Sequence, residues 1–145
     1  MSQDQPDPTR PAADAERLRQ HPTPRFAPPQ HRYDLDEATA TLRRELDSGQ
    51  AGHRQQTLYK QGATTVALFL FAAGSGLRAH RAKGIVMIHL LEGHVQITAE
   101  DQVHDLRAGH LLVLASGVEH DVAAQAVSRM LLTVHLDAAA AKPTA

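Results

Sequence analysis

The chain has 145 residues, with 15 Lys and Arg against 16 Asp and Glu, and it contains no cysteine. This length allows one domain with a modest core, and the balanced charge gives no field that would attract nucleic acid or an anionic membrane. Without cysteine there are no disulfides and no thiolate metal ligands, which fits a reducing compartment such as the cytoplasm.

The amino-terminal segment predicts a disordered, proline-rich arm over residues 1–33. Seven of the eight prolines lie between Pro6 and Pro29, and most other residues there are polar. Such a composition cannot bury enough apolar surface to offset the entropy lost on ordering. The segment lacks the apolar stretch of a secretory signal, and no apolar run reaches the ~20 residues of a transmembrane helix. We therefore expect a cytoplasmic protein that does not bind a membrane.

An amphipathic helix is predicted over residues 34–48. Acidic residues lead it, basic residues follow, and Gly49 provides a stop signal. Its apolar positions recur at helical spacing: Leu35, Ala38, Leu42 and Leu46. One apolar stripe predicts that the helix flanks the outside of the domain. No second helix is predicted beside it, so a helix-turn-helix that reads DNA is not expected.

Residues 57–136 predict an all-β domain. Short apolar or alternating segments are separated by turns that contain glycine, a pattern typical of a sandwich or barrel. The segments 64–71 and 85–91 are apolar on both faces, so one face fills a barrel and the other needs a cover. We expect the helix to cover part of it and a second subunit of a homodimer to cover the rest. Residues 137–145 predict a flexible tail.

Two spaced motifs resemble the signature of the cupin superfamily. The first cupin pattern, G-x5-H-x-H-x3-E-x6-G, falls on Gly74, His80, Ala82, Val86 and Gly93. The second, G-x5-P-x-G-x2-H-x3-N, falls on Gly109, Ala115, Gly117, His120 and Ala124. Six of the ten positions keep the cupin residue, and no gap is shifted. The resemblance implies a cupin jelly-roll barrel, or double-stranded β-helix, with one N-terminal flanking helix and a disordered N-terminal arm.

The resemblance also implies a metal site, of which half remains. In cupins with the full motif, three histidines and one glutamate project into the barrel and hold a divalent metal. This role carries over to His80 and His120, whereas Ala82 and Val86 replace the other two ligands and offer no donor. Catalytic metals usually have three protein ligands, so a further donor would have to complete the site. Two outcomes stay open: a weakly held Fe, Mn, Ni, Cu or Zn ion, or no metal.

Other histidines offer further donors, and the sequence assigns none of them to the site. Strand alternation predicts His89 on the opposite face from the replaced glutamate. We expect His94 to face outward and His110 to hydrogen-bond within its loop. The sequence does not decide which face His104 and His135 occupy.

The surroundings of the two histidines predict a small-ligand site. Arg78 has the same strand parity as His80, which predicts a cation at the barrel mouth that could hold a carboxylate or a phosphate. The alternative is a rim salt bridge to Glu119 or Asp121. The predicted lining is apolar, as in many small-ligand sites, and it consists of Ile88, Leu90 and Val122.

Three functions remain compatible with the sequence. The leading hypothesis is a small cupin-domain protein that binds a small molecule, such as an organic acid or a ring compound, or a weakly held divalent metal. The second is a metal-dependent oxygenase or isomerase that uses His80 and His120. The third is a non-catalytic sensor or interaction module.

Overall fold

The computed structural model describes residues 28–49 and 52–139. The chain divides into two units, Met1–Arg32 and Tyr33–Ala145, and the architecture below belongs to the second. Residues 1–27 of the predicted arm and 140–145 of the predicted tail lie outside the described residues.

Nine strands form two antiparallel sheets in the described part of the second unit. The strands are β1 (His53–Gln61), β2 (Thr64–Phe71), β3 (Gly76–His80), β4 (Gly84–Glu92), β5 (His94–Ala99), β6 (Gln102–Arg107), β7 (Leu111–Leu114), β8 (His120–Ala124) and β9 (Ser128–Leu136). The larger sheet has the order β1-β2-β9-β4-β7, and the smaller has the order β3-β8-β5-β6.

The core lies between the two sheets. Side chains on a strand alternate between its faces, and the buried residues of β4 and β5 follow that period. Val86 and Ile88 of the larger sheet pack in the same cluster as Val95 and Ile97 of the smaller sheet. Strand β2 is buried on both faces, with Phe71 in this core and Leu70 in a second cluster on the outside of the sheet.

Helix α1 (Leu35–Ser48) packs on the outside of the larger sheet and contributes to the second cluster. Its amino end is capped by Asp34, whose Oδ1 accepts a hydrogen bond from the backbone N–H of Glu37 at 3.0 Å. Leu42, on its apolar stripe, packs against Leu68 and Leu70. The predicted jelly-roll barrel with a flanking helix is therefore confirmed. No helix within the described ranges is long and apolar enough to cross a membrane.

An arginine from β9 fixes the first turn of α1. Arg129 Nη1 donates to Asp36 Oδ1 at 2.9 Å and to Thr39 Oγ1 at 3.3 Å. Its Nε lies 3.4 Å from Glu92 Oε1 but makes no hydrogen bond, because the alignment is poor. The guanidinium thus links the helix to the sheet.

The helix leaves the β4 and β7 part of the outer face exposed. Four apolar side chains there keep large exposed fractions: Ile85 40%, Met87 36%, Leu111 60% and Val113 54%. Met87 pairs with Val113 across the two strands, so these side chains form one continuous patch. We call these four residues the outer patch.

Candidate functional site

The pairing of β3 with β8 brings the two motif histidines together. His80 and His120 are register partners, and their ring centroids are 4.4 Å apart with an angle of 57° between the planes. His120 is only 3% exposed, whereas His80, the last residue of β3, is exposed. The pair therefore stands at the end of the core, with one imidazole inside and the other in contact with solvent.

A main-chain carbonyl fixes the orientation of each imidazole. His80 Nδ1 lies 2.8 Å from the carbonyl oxygen of Arg78, and His120 Nδ1 lies 3.0 Å from that of Val118. A carbonyl oxygen only accepts, so in the neutral rings both protons sit on Nδ1 and both Nε2 atoms present a lone pair. Neither Nε2 has a hydrogen-bond partner among residues 28–49 and 52–139.

Two loops hold this arrangement in place. Gly117, with a φ of 85° in the turn before β8, donates its backbone N–H to the carbonyl oxygen of Ala82 at 2.9 Å. Arg81, in the loop between β3 and β4, contacts the loop before β8. Its Nη1 lies 3.2 Å from the carbonyl oxygen of Gly117, and its Nη2 lies 3.4 Å from Glu119 Oε1. The rim salt bridge expected for Arg78 is thus made by Arg81.

The parity argument for Arg78 is wrong. His80 lies three positions after Leu77, but their partners His120 and Val122 are two positions apart, so β3 contains an extra residue. This bulge puts Leu77 and His80 on the same inward face and breaks the alternation that linked Arg78 to His80. Arg78 is exposed, and it is its carbonyl group that contacts His80. A role for its side chain in binding a ligand stays a prediction.

Apolar side chains occupy the positions of the two replaced metal ligands. Val86 is buried in the core, and Ala82 packs against that core. The residues predicted to line the site, Ile88, Leu90 and Val122, are buried in the same core. Within the described residues, no group of three or more His, Asp or Glu side chains is placed to hold a metal ion.

The other histidines lie away from the pair. His94 is on the outer face, where its Nε2 donates to Asp105 Oδ1 at 2.6 Å. That hydrogen bond, helped by Gln96 and Arg107 and opposed by desolvation, holds the pKa of the Asp105 carboxyl below its ordinary value. His110 Nδ1 accepts from the backbone N–H of Arg107 at 2.9 Å, as a loop residue was expected to do.

The two sheets, the motif turns and the paired histidines define a cupin-type barrel. A family model described as the AraC-like ligand binding domain matches residues 66–143, more than half of the chain. The chain belongs to this family of ligand-binding domains, and its assignment to the cupin superfamily is confirmed.

Solved structures support the same fold. A cupin superfamily protein from Desulfitobacterium hafniense is 23% identical with a TM-score of 0.60, over 75% of this chain and 94% of that one. A conserved protein of unknown function from Streptococcus pyogenes is 24% identical with a TM-score of 0.58, over 61% and 78%. A salicylate 1,2-dioxygenase from Pseudaminobacter salicylatoxidans is 14% identical with a TM-score of 0.65, over 71% of this chain but 34% of that one. No curated protein matches the chain.

Proposed function

We propose that this chain is a small-molecule-binding cupin in which His80 and His120 anchor the ligand at the barrel mouth. One observation carries the proposal: two adjacent imidazoles, one of them buried, both have an Nε2 without a partner in the described ranges. Neither Nε2 is shut off from solvent, so both atoms are open to a bound molecule. A ligand that bonds to both Nε2 atoms would engage the two rings at once, and membership of a ligand-binding family is consistent with this role.

The imidazole pair restricts the chemistry of the ligand. In their neutral form both Nε2 atoms accept hydrogen bonds, so they suit hydroxyl or amine groups. In their charged form they donate, so they suit a carboxylate. An organic acid or ring compound that also carries a hydroxyl group could bind either form of the pair. The apolar core beneath the pair favours a ligand that is partly apolar.

A weakly held divalent metal is the second candidate. Histidines that bind metal commonly donate the other ring N–H to a carbonyl or carboxylate, as both rings do here. When bound, such an ion would polarise an oxygen atom of the ligand. Two imidazoles leave the remaining positions to other donors, so we expect weak binding of Zn, Cu, Ni, Fe or Mn.

His120→Asn is expected to abolish stabilisation by any ligand of the mouth. The shorter amide can still donate to the carbonyl of Val118, but it has no atom at the Nε2 position. The measurement is a thermal melting screen of untagged protein with hydroxy and aromatic carboxylic acids, and separately with the five metal ions. A ligand at a thousandfold excess over its Kd should stabilise the protein by about 4 kcal/mol. The control is His135→Gln, which replaces an exposed histidine that pairs with the outward-facing Ile85 on the larger sheet.

Each outcome of the screen decides between the readings. Stabilisation by an organic compound that is lost in His120→Asn and kept in His135→Gln supports the proposal. Stabilisation by metal ions alone, lost in the same variant, favours the second candidate. Stabilisation that survives in His120→Asn removes the histidine pair from the site, and no stabilisation by any compound or ion contradicts both readings.

We also propose that the chain forms a homodimer through the outer patch. The patch is apolar, and Met87 and Ile85 pair across β9 with Thr133 and His135, so none of these paired positions carries Asp, Glu, Lys or Arg. Two copies of the chain can therefore meet there without repulsion between like charges. An exposed apolar patch of this kind on a sheet edge is typical of a protein interface.

Met87→Glu is expected to convert the dimer to a monomer, because a carboxylate would be buried in an apolar interface. The measurement is sedimentation equilibrium over a wide range of protein concentration. Val103→Glu, at a residue 59% exposed on the other sheet, is the matched control and should leave the dimer unchanged. A wild-type monomer at every concentration, or a dimer that tolerates Met87→Glu, would refute the proposed interface.

A further inference from the structure

A third histidine faces inward on β6, at the far edge of the smaller sheet from His80. Strand β6 pairs with β5 so that Gln102 is opposite Ala99 and His104 is opposite Ile97. Ala99 and Ile97 are buried in the core, and directly paired residues point to the same face of a sheet. Gln102 and His104 therefore face inward.

The strand register arranges the inward residues of this sheet in rows. The row at the mouth crosses four strands and contains His80, His120, Ala99 and Gln102. The next row contains Leu77, Val122, Ile97 and His104. On this inward face, polar side chains thus lie on β3 and β8 at one edge of the sheet and on β6 at the other edge. Apolar side chains lie between them. Two strand spacings of ~4.8 Å separate β8 from β6, so the polar sides lie about 10 Å apart.

His104 has no partner for its polar atoms in the described part of the chain. It is half-buried, and neither a hydrogen bond nor an ion pair joins its side chain to a described residue. Its neighbour Asp105, on the outer face, is by contrast fully engaged with His94, Gln96 and Arg107. Neither ring nitrogen of His104 is shut off from solvent, so both are open to a bound molecule. In this respect His104 resembles His80 and His120.

We propose that His104, together with Gln102, is a second polar anchor of the ligand site. The ligand is then an elongated molecule that has hydrogen-bonding groups at both ends and an apolar body between them, such as a para-substituted aromatic acid or a short dicarboxylic acid. One end contacts His80 and His120, and the other contacts His104. This inference rests on the proposed function and narrows its ligand class.

The test compares probes with two polar ends to probes with one. The two-ended probes are 4-hydroxybenzoate and adipate, and their one-ended counterparts are benzoate and hexanoate. Calorimetric titration of the wild-type protein is expected to give at least about tenfold tighter binding for a two-ended probe than for its counterpart, the effect of one added hydrogen bond to a charged or polar group.

His104→Phe keeps the ring bulk and removes both nitrogen atoms, so it should abolish the tenfold difference and leave binding of the one-ended probe unchanged. His104→Gln restores a polar group and should recover part of the difference. Val103→Phe, at the exposed outward position next to His104 on the same strand, is the control for an added aromatic ring. Melting curves confirm that each variant is folded before titration.

The outcomes separate this inference from the proposed function. If His120→Asn weakens all probes and His104→Phe weakens none, the mouth pair binds the ligand and the inference on His104 is overturned. If the two-ended and one-ended probes bind wild-type protein equally, or none of the four binds, the proposed ligand class is overturned. The wider screen of acids and metal ions then still decides the proposed function.

Discussion

Gly93→Ala is expected to lower the free energy of unfolding by about 3 kcal/mol or more, through backbone strain and overpacking together. Gly93 connects β4 in the larger sheet to β5 in the smaller one and has a φ of 98°, which favours glycine. A Cβ at this position would also collide with the Oγ of Ser128 and the carbonyl oxygen of Val127. Ser128 is fully buried, and its Oγ accepts from the backbone N–H of His94, so it cannot move aside without breaking that bond.

Urea denaturation of Gly93→Ala and Gly109→Ala separates the two causes. Gly109 has a similar φ of 92°, but a Cβ there would meet nothing within 4 Å. Gly109→Ala should therefore cost only the backbone strain, about 1–2 kcal/mol. Equal losses in the two variants would mean that the contact with Ser128 and Val127 contributes nothing, and a loss below about 1 kcal/mol at Gly93 would contradict the strain as well.

The meeting of the two histidines could be predicted because the motifs combine their spacing with turn glycines. The glycines at 93, 109 and 117 all adopt positive φ, so the sequence determines where each turn falls. The positions of the turns then determine the strand register. With that register set, the cupin positions of His80 and His120 become direct partners across β3 and β8. The same reasoning predicted the inward direction of Val86 and Ile88.

The bulge in β3 could not be predicted, because it depends on a partner strand some forty residues away in the chain. Nothing in the local alternation of residues 76–80 marks the extra residue, so strand parity could not assign a side to Arg78. The orientation of each imidazole could not be predicted from the sequence either. It results from hydrogen bonds to the carbonyls of Arg78 and Val118, which form only in the folded loops.

The facing of His104 was left open for a different reason. In β6 the two apolar residues are Val103 and Leu106, and an odd spacing of three puts them on opposite faces of the strand. Alternation therefore supports either face as the inner one. The pairing with β5 resolves the ambiguity, because Leu106 is opposite Val95 and both are buried. Val103 is outward, and the polar residues at 102 and 104 are inward.

Leu70→Ala and Phe71→Ala are both expected to destabilise the protein by about 3–5 kcal/mol, because each removes a fully buried side chain. Their structural effects should differ, since the two residues lie on opposite faces of β2. Phe71 stacks on Phe69 at a ring-centroid distance of 5.8 Å and lies tilted against His53 at 5.6 Å. Leu70 instead packs under α1 with Leu42.

Native-state hydrogen exchange distinguishes the two faces. Leu70→Ala should speed exchange throughout α1 at conditions where the sheets stay protected, because the helix depends on this cluster for its packing. Phe71→Ala should speed exchange in both sheets and in α1 together, since loss of the core lowers the global stability. Val103→Ala, at an exposed residue, should change neither. If Leu70→Ala leaves the protection of α1 tied to that of the sheets, then the contact of Arg129 with Asp36 and Thr39, rather than the apolar cluster, holds the helix on the barrel.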